Sequence, residues 1–270
     1  MSAAVVALLL QLEAPFQESV EPALPEGNAL ARSMLGRQRA REDALDRYTY
    51  DVEEVLEHLD SKDRVSRRES EGYEVFYLRG LPLRRQVSKQ GRPLDAQAQA
   101  KEDAKVRERS QKVQQGRVTR EQVGVRLSQI LERYDFRTLA REDRGARPVL
   151  VLEFEPRPGK RDLDSDHVLR ALSGRLWVDE QERAIVHAEI RNSQGIKFAL
   201  GLAASLKSLE VEMDFRRLEE GVWLPERVAA SWAGRMFVFK SLRRRHTTLY
   251  SNYRRFEAET EEHYDTSVPP

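Results

Sequence analysis

Leu209-Glu210-Val211-Glu212-Met213-Asp214-Phe215 is the stretch on which the fold turns. Apolar and acidic residues alternate through it without a break. Successive side chains of a β-strand point to opposite faces, so the pattern predicts a strand with one apolar face and one acidic, solvated face. A helix would scatter both sets around its circumference. Such a strand needs neighbours for its backbone groups and a cover for its apolar side.

Outward from this strand the same period recurs. Val222 to Trp232 and Arg235 to Phe256 read as two long strands, with Gly234 as the break between them. Upstream, Gly174 to Val178 and Ala184 to Ile190 flank Asp179-Glu180-Gln181-Glu182, which reads as a hairpin turn. Leu163 to Leu172 reads as a short helical or loop crossing. Leu150, Leu152 and Phe154 alternate with Val149, Val151 and Glu153 until Pro156, Pro158 and Gly159 end the run. Near the N-terminus, Tyr48, Tyr50 and Val52 begin a strand, Ser61-Lys62-Asp63 is a turn, and Val65 to Leu78 is the next strand. Gly80 and Pro82 break it, and Leu83 to Ser88 returns. Consecutive strands joined by short turns predict an antiparallel meander.

Two segments carry the helical period instead. Asn28 is expected to cap a helix over Ala29–Leu45 with Leu30, Met34 and Leu35 on its apolar face. Thr119, with Gln122 three residues on, opens a second; Val123, Leu127, Ile130, Leu131 and Tyr134 make one apolar stripe along it. Between them Leu94–Gln115 is almost wholly Ala, Gln, Lys, Glu, Asp and Arg, the composition of a solvated helix. The fold class expected is α+β, mainly antiparallel β: a curved half-barrel sheet whose concave face is covered by the two amphipathic helices, with an apolar pocket between. The expected limits are a signal-like or disordered segment 1–27, one domain over 28–258 with a charged helical insertion at 94–133, and a disordered tail 259–270.

Composition narrows the function. Lys and Arg number 46 against 45 Asp and Glu in 270 residues, so the basic excess usual in nucleic-acid domains is missing. With no cysteine, disulfides, thiolate metal sites, cysteine nucleophiles and a lipid-modified N-terminal cysteine are excluded. Ala3–Leu12 reads AAVVALLLQL, too short to span a bilayer. It has the length of an export signal's apolar core but no preceding Lys or Arg. An atypical export signal and a short hydrophobic arm are the two readings of it. No other apolar stretch approaches membrane length.

Chemistry-bearing patterns are few. Asp162-Leu163-Asp164-Ser165-Asp166-His167 invites a calcium loop, but His167 stands where glycine is needed and Ser173 where the twelfth-position Glu should be. Its acids are expected to cap a helix start at Asp166. The histidines His58, His167, His187, His246 and His263 have no ligand spacing. His187 and His246 are expected at the surface or rim of strands. Neither G-x-S-x-G nor a glycine-rich phosphate loop is present. The expectation is a protein that is not an enzyme and has no metal or cofactor. Lys240, Arg243, Arg244, Arg245, Arg254 and Arg255 gather on the last strands, interleaved with Tyr250 and Tyr253. They read either as contacts for anionic lipid headgroups or nucleic acid, of which the headgroup fits better without an overall basic excess, or as a solvated face paired with acids. Trp177, Trp223 and Trp232 read as core anchors.

The order of short motifs in the C-terminal half adds a resemblance. Gly174-Arg175-Leu176-Trp177-Val178-Asp179 is followed by Ala184-Ile185-Val186, the alternating strand, Val222-Trp223-Leu224-Pro225, and Tyr250-Ser251-Asn252-Tyr253-Arg254-Arg255-Phe256. This succession resembles the bacterial outer-membrane lipoprotein-sorting protein family, the LolA/LolB-like superfamily, over about Tyr48–Phe256. The resemblance implies a half-barrel whose cavity takes up acyl chains in the periplasm or cell envelope, in a transport or chaperone role. Burying each methylene is worth about 0.8 kcal/mol. The candidate lid residues are Val123, Leu127, Ile130 and Leu131; the candidate sheet residues are Leu209, Val211, Met213, Phe215, Trp223 and Phe237. Expected partners are a lipid or lipoprotein acyl chain, an envelope protein and, transiently, a membrane surface, with no nucleic acid. The second reading is a protein-interaction or regulatory module on the same scaffold with a filled core.

Overall fold

A computed structural model of the chain describes residues 22–117, 126–157, 166–198, 204–236 and 240–255. The alternation around Leu209 does form a strand, and it sits near the middle of one twelve-stranded antiparallel sheet. The strands are β1 (Tyr48–Leu59), β2 (Val65–Leu78), β3 (Leu81–Lys89), β4 (Arg92–Pro93), β5 (Tyr134–Arg144), β6 (Arg147–Pro156), β7 (Leu172–Asp179), β8 (Ala184–Asn192), β9 (Ile196–Phe198), β10 (Ala204–Arg217), β11 (Trp223–Met236) and β12 (Lys240–Arg255). Their order is β4-β3-β2-β1-β12-β11-β10-β8-β7-β6-β5, with β9 also pairing β10. The sheet is open: β4 and β5 are its two ends. Pairing of β1 with β12, from Tyr48 opposite Arg255 to His58 opposite Arg244, joins the two ends of the chain.

The helices are α1 (Gly27–Ala44), α2 (Ala96–Gln114), α3 (Leu127–Arg133) and the single turn α4 (Asp166–Leu169). Helices α1 and α3 lie together on one face, here the inner face. Leu30, Ala31 and Met34 of α1 and Leu127, Ile130 and Leu131 of α3 pack into one buried core with Phe136, Leu150, Leu152, Phe154, Leu176 and Ala188 of β5–β8. Apolar residues at every second strand position meet apolar residues at helical spacing, and burial of both surfaces drives the packing. A second inner-face cluster is aromatic: Tyr48, Tyr50, Val52 and Val75 with Tyr73, Tyr77, Tyr250 and Tyr253 around them. Its cover includes Leu45, from the 3-10 turn after α1, and Leu224.

Several expectations change on contact with tertiary structure. Glu26, not Asn28, caps α1, accepting from the N–H groups of Asn28 and Ala29 at 2.8 and 2.6 Å. Asn28 instead accepts from the Phe136 N–H at 2.9 Å on β5, the edge strand. Thr138 Oγ1 donates to the Pro25 carbonyl and Arg141 to that of Pro22, so residues 22–28 run along this edge and blunt it against stray pairing. Gly27 permits the approach, since a Cβ there would stand 2.4 Å from the Phe136 oxygen. Gly234 is no break: it pairs with Leu242 inside the β11–β12 ladder, and its missing Cβ makes room for the Ser205 carbonyl. Tyr134 begins β5 rather than ending the second helix, and its buried hydroxyl donates to the Leu169 carbonyl.

The charged segment 94–133 does not act as one insertion. Helix α2 packs on the outer face, where Val113, its one buried residue, meets Leu81, Leu83, Phe76 and Leu78. Helix α3 belongs to the inner face, and the Thr119–Gln122 cap and Val123 lie outside the described residues. So do the Ala3–Leu12 run, Asp162–Ser165 and Phe237; α4 does start at Asp166. No described helix is long and apolar enough to cross a membrane.

Candidate functional site

The register of β10 sorts the expected cavity residues. Met213 shares an inner-face row with Ala188 and Leu176 on one side and Val228 and Thr248 on the other. Val211 lies in the next row, beside Ile190 and Ala230, and Leu209 beyond it, opposite Trp232. All three are half-buried, while Glu210 and Glu212 point outward and are exposed, as the alternation predicts. Phe215 is displaced by a bulge between Asp214 and Phe215.

Between the helices and this part of the sheet lies a cavity of about 210 Å³. Met213 and Phe215 form its floor, Leu127 and Leu45 its roof, and Tyr77, Pro82 and Pro225 its sides. Gln38, Glu42, Asp46 and Arg126 add polar groups to the lining. The lining is thus an apolar bed with polar groups supplied by α1, the turn after it and the residue ahead of α3. A smaller recess of about 70 Å³ shares Gln38, Glu42, Leu45, Phe215 and Pro225 with it and is closed by Ile185, Trp223 and Leu224. Of the expected lid residues that are described, Leu127, Ile130 and Leu131, only Leu127 reaches the cavity; Ile130 and Leu131 are 0 % and 2 % exposed and serve as packed core.

Glu42 ties the two helices of the roof together. Its carboxylate accepts from Ser128 N at 2.9 Å and Ser128 Oγ at 2.6 Å, and from the Gln38 amide at 3.2 Å. Arg41, one residue earlier, donates to the carbonyls of Glu182 and Arg183, both at 2.9 Å, and so fastens α1 to the β7–β8 turn. That turn is itself pinned by Asp179, which accepts from Arg147 and from the N–H groups of Gln181 and Glu182. Burial pushes the Asp179 carboxyl up, but the Arg147 and backbone hydrogen bonds outweigh it and hold the group below the usual carboxylate range.

Trp223 was expected to line the inner cavity; the structure puts it at a border. The β8–β10 ladder stops at His187 opposite Asp214, although β8 continues back to Ala184 and β10 on to Arg217. Phe215 and Trp223 stand by this splay and line both the inner recess and an outer groove of about 500 Å³. Glu182 fixes the indole, accepting from Trp223 Nε1 at 2.6 Å, and Arg147 lies over its ring at 5.8 Å.

The outer groove was not foreseen, because its walls come from strands far apart in sequence. Arg144 of β5 reaches Asp214 of β10 at 3.2 Å, although β6, β7 and β8 lie between them in the sheet. A flat sheet would separate the two strands by about 19 Å, so this end of the sheet is strongly coiled. His187 is buried rather than a rim residue: its Nδ1 is 2.7 Å from Asp214 and its ring meets Trp177 edge-on at 4.8 Å. Asp214 also pairs with Arg227 at 3.5 Å. The groove's lining holds no Ser, Thr, Lys or Cys to serve this His–Asp pair as a nucleophile. With His187, Arg144 and Arg227 all upon it, Asp214 is a structural junction. No group of three or more metal-ligating side chains occurs among the described residues.

Tyr50 and Tyr250 of the second cluster are neutral at physiological pH. Burial pushes the Tyr250 phenol up to about 12, and burial with neighbouring Tyr77 and Tyr253 pushes Tyr50 well above its usual range. Tyr50 and Tyr77 hydroxyls meet at 3.3 Å, and Tyr253 donates to the Pro225 carbonyl at 2.7 Å beside the cavity wall.

No protein-family model matches the chain, and no curated protein matches it. Solved structures do resemble it. One is an outer membrane lipoprotein-sorting protein domain from Vibrio parahaemolyticus, 12% identical, covering 87% of this chain and 94% of that one at a TM-score of 0.41. A DUF1329 family protein from Desulfovibrio piger is also 12% identical, over 86% and 94% of the two chains, at 0.36. A LolA superfamily protein from Nitrosomonas europaea matches at 12% identity over 84% and 93%, at 0.34.

Proposed function

We propose that this protein is a cell-envelope carrier that holds a lipid or lipoprotein acyl group against the inner face of its sheet, within one domain spanning residues 28–258. The observation that carries the reading is the apolar cavity between Leu127 and Leu45 above and Met213 and Phe215 below. It lies where a one-sided strand and an amphipathic helix meet, and transfer of methylenes into it is favourable by about 0.8 kcal/mol each. The motif order from Gly174 onward supports the same role, and delivery of such cargo entails brief contact with a membrane surface or an envelope partner.

Titration with a fluorescent acyl probe tests the reading. The native protein is expected to bind it saturably, and Met213→Trp, which fills the cavity floor, to abolish binding while leaving the far-ultraviolet spectrum unchanged. Lipid extracted from protein purified out of its host and identified by mass spectrometry is the second readout. An extract free of lipid together with no saturable probe binding rejects the proposal.

A further inference from the structure

The basic cluster on β12 splits into two sets once each residue has a face. Arg243, Arg245, Arg254 and Arg255 pair with Asp63, Glu57, Asp51 and Glu220. For these four the charge run is a solvated, acid-paired surface. Arg244 is different. It lies opposite His58 on β1 and Trp232 on β11, and Trp232 lies opposite Leu209, so all four share the inner face. Its guanidinium is half-buried and donates to the Arg243 carbonyl at 3.0 Å, with no carboxylate partner among the described residues. A half-buried guanidinium without an acid is poorly compensated and invites an anion.

Its surroundings are those of an amphiphile's path. From Met213 on the cavity floor, the inner-face rows run through Val211, Ala230 and Leu56 to Leu209 and Trp232, all half-buried. The row of Arg244 is four residues along β10 and two strands over from Met213, a diagonal of about 17 Å. Other charges on this strip are occupied: Arg84 pairs with Glu54 at 2.7 Å, Arg67 with Glu69 at 3.0 Å, and Glu71 accepts from the Tyr73 hydroxyl. His246 Nε2 stands 3.8 Å from Glu54. His58 Nε2 lies 2.9 Å from Glu69 but out of line for a hydrogen bond, so a buried ring nitrogen in the row of Arg244 has no hydrogen-bond partner.

We infer that the cargo is an acyl chain ending in an anionic group, phosphate or carboxylate, with the chain on the Met213–Leu209 strip and the anion at Arg244, assisted by His58. This rests on the carrier reading above and specifies its ligand. The guanidinium fork suits either oxyanion.

Calorimetric titration of the full chain with dodecyl phosphate, laurate and dodecyl maltoside, each below its micellar concentration, tests the inference. Dodecyl phosphate or laurate is expected to bind at least about tenfold more tightly than the maltoside, and which of the two wins identifies the head. Arg244→Gln is expected to erase that preference with maltoside affinity unchanged, and Arg244→Lys to keep part of it. Equal affinity for all three, or an Arg244→Gln variant that retains its preference, overturns the anionic-head assignment and leaves the carrier reading standing. Binding of none of the three removes both.

Discussion

Asp179 shows how a single side chain can hold the roof in place at a distance. It is 1 % exposed, and it organises the β7–β8 turn on which Arg41 fastens α1. Asp179→Ala leaves the Gln181 and Glu182 N–H groups without an acceptor and Arg147 with Glu182 as its remaining carboxylate, at a cost of about 2 kcal/mol. Asp179→Asn keeps one acceptor and loses only the charge, so it is the milder change. The sign of the pH effect follows from the depressed pKa. The charged form is favoured by folding, so its contribution is complete above the unfolded value of about 3.9 and disappears as pH falls through the lower folded value. Urea unfolding of the native protein and Asp179→Asn at pH 7 and near pH 3 is therefore expected to give a gap at the first pH that narrows at the second. A gap of equal size at both would mean that the Asp179 charge contributes nothing.

At the scale of elements, the faces on which helices sit matter more than their number. Helix α1 is held along its length by the core, whereas α2 touches the sheet through Val113 and a few polar contacts, among them Arg79 to the Gln114 carbonyl and Arg85 to Asp103. An element with one buried anchor opens locally at little free energy. Val113→Asp is expected to abolish amide-exchange protection over 96–114 while the protection of β10–β12 and the thermal midpoint of the sheet hardly move. Loss of protection across the sheet would instead make α2 part of the global core. How legible each element was in the sequence follows from the same physics. β10 could be read because water on one face and packed side chains on the other impose a two-residue period on Leu209–Phe215. The polarity of α2 was equally plain, but its side of the sheet was not, because a single valine carries that information. The pairing of Asn28 with β5 and the continuation of β11 through Gly234 were illegible, since the first depends on Phe136, far along the chain, and the second on a missing Cβ; the Glu26 cap is local, but Asn28 is the better capping type and only its engagement by Phe136 leaves the role to Glu26. Among the expected site residues, Leu127, Met213 and Phe215 come together, while Ile130 and Leu131 are consumed by packing that their shared stripe does not distinguish from a lid.

For the molecule as a whole, the decisive quantity is the size of the inner cavity. At about 210 Å³ it falls short of the roughly 300–1,000 Å³ usual for ligand sites. On the carrier reading, a long acyl chain needs more room than this, and a shift of the roof relative to the sheet supplies it. Within the roof, α1 and α3 are clasped by Glu42, which accepts from both the N–H and the hydroxyl of Ser128. If the open form is a minor population, the apparent affinity for cargo is the intrinsic affinity reduced by that fraction. Loosening the clasp should then raise affinity and entry rate together while lowering stability, a combination that loss of a direct ligand contact does not produce. Ser128→Ala removes one of the two Glu42 bonds and is expected to lower stability by about 1 kcal/mol. It should also speed uptake of the acyl probe several-fold in stopped-flow mixing. Glu42→Gln should act in the same direction, and the double variant should add little, because both changes release one contact. A Ser128→Ala protein that is destabilised yet takes up probe at the native rate would place the entrance elsewhere. The alternative then is the splay between β8 and β10, where Phe215 and Trp223 already separate the inner recess from the outer groove.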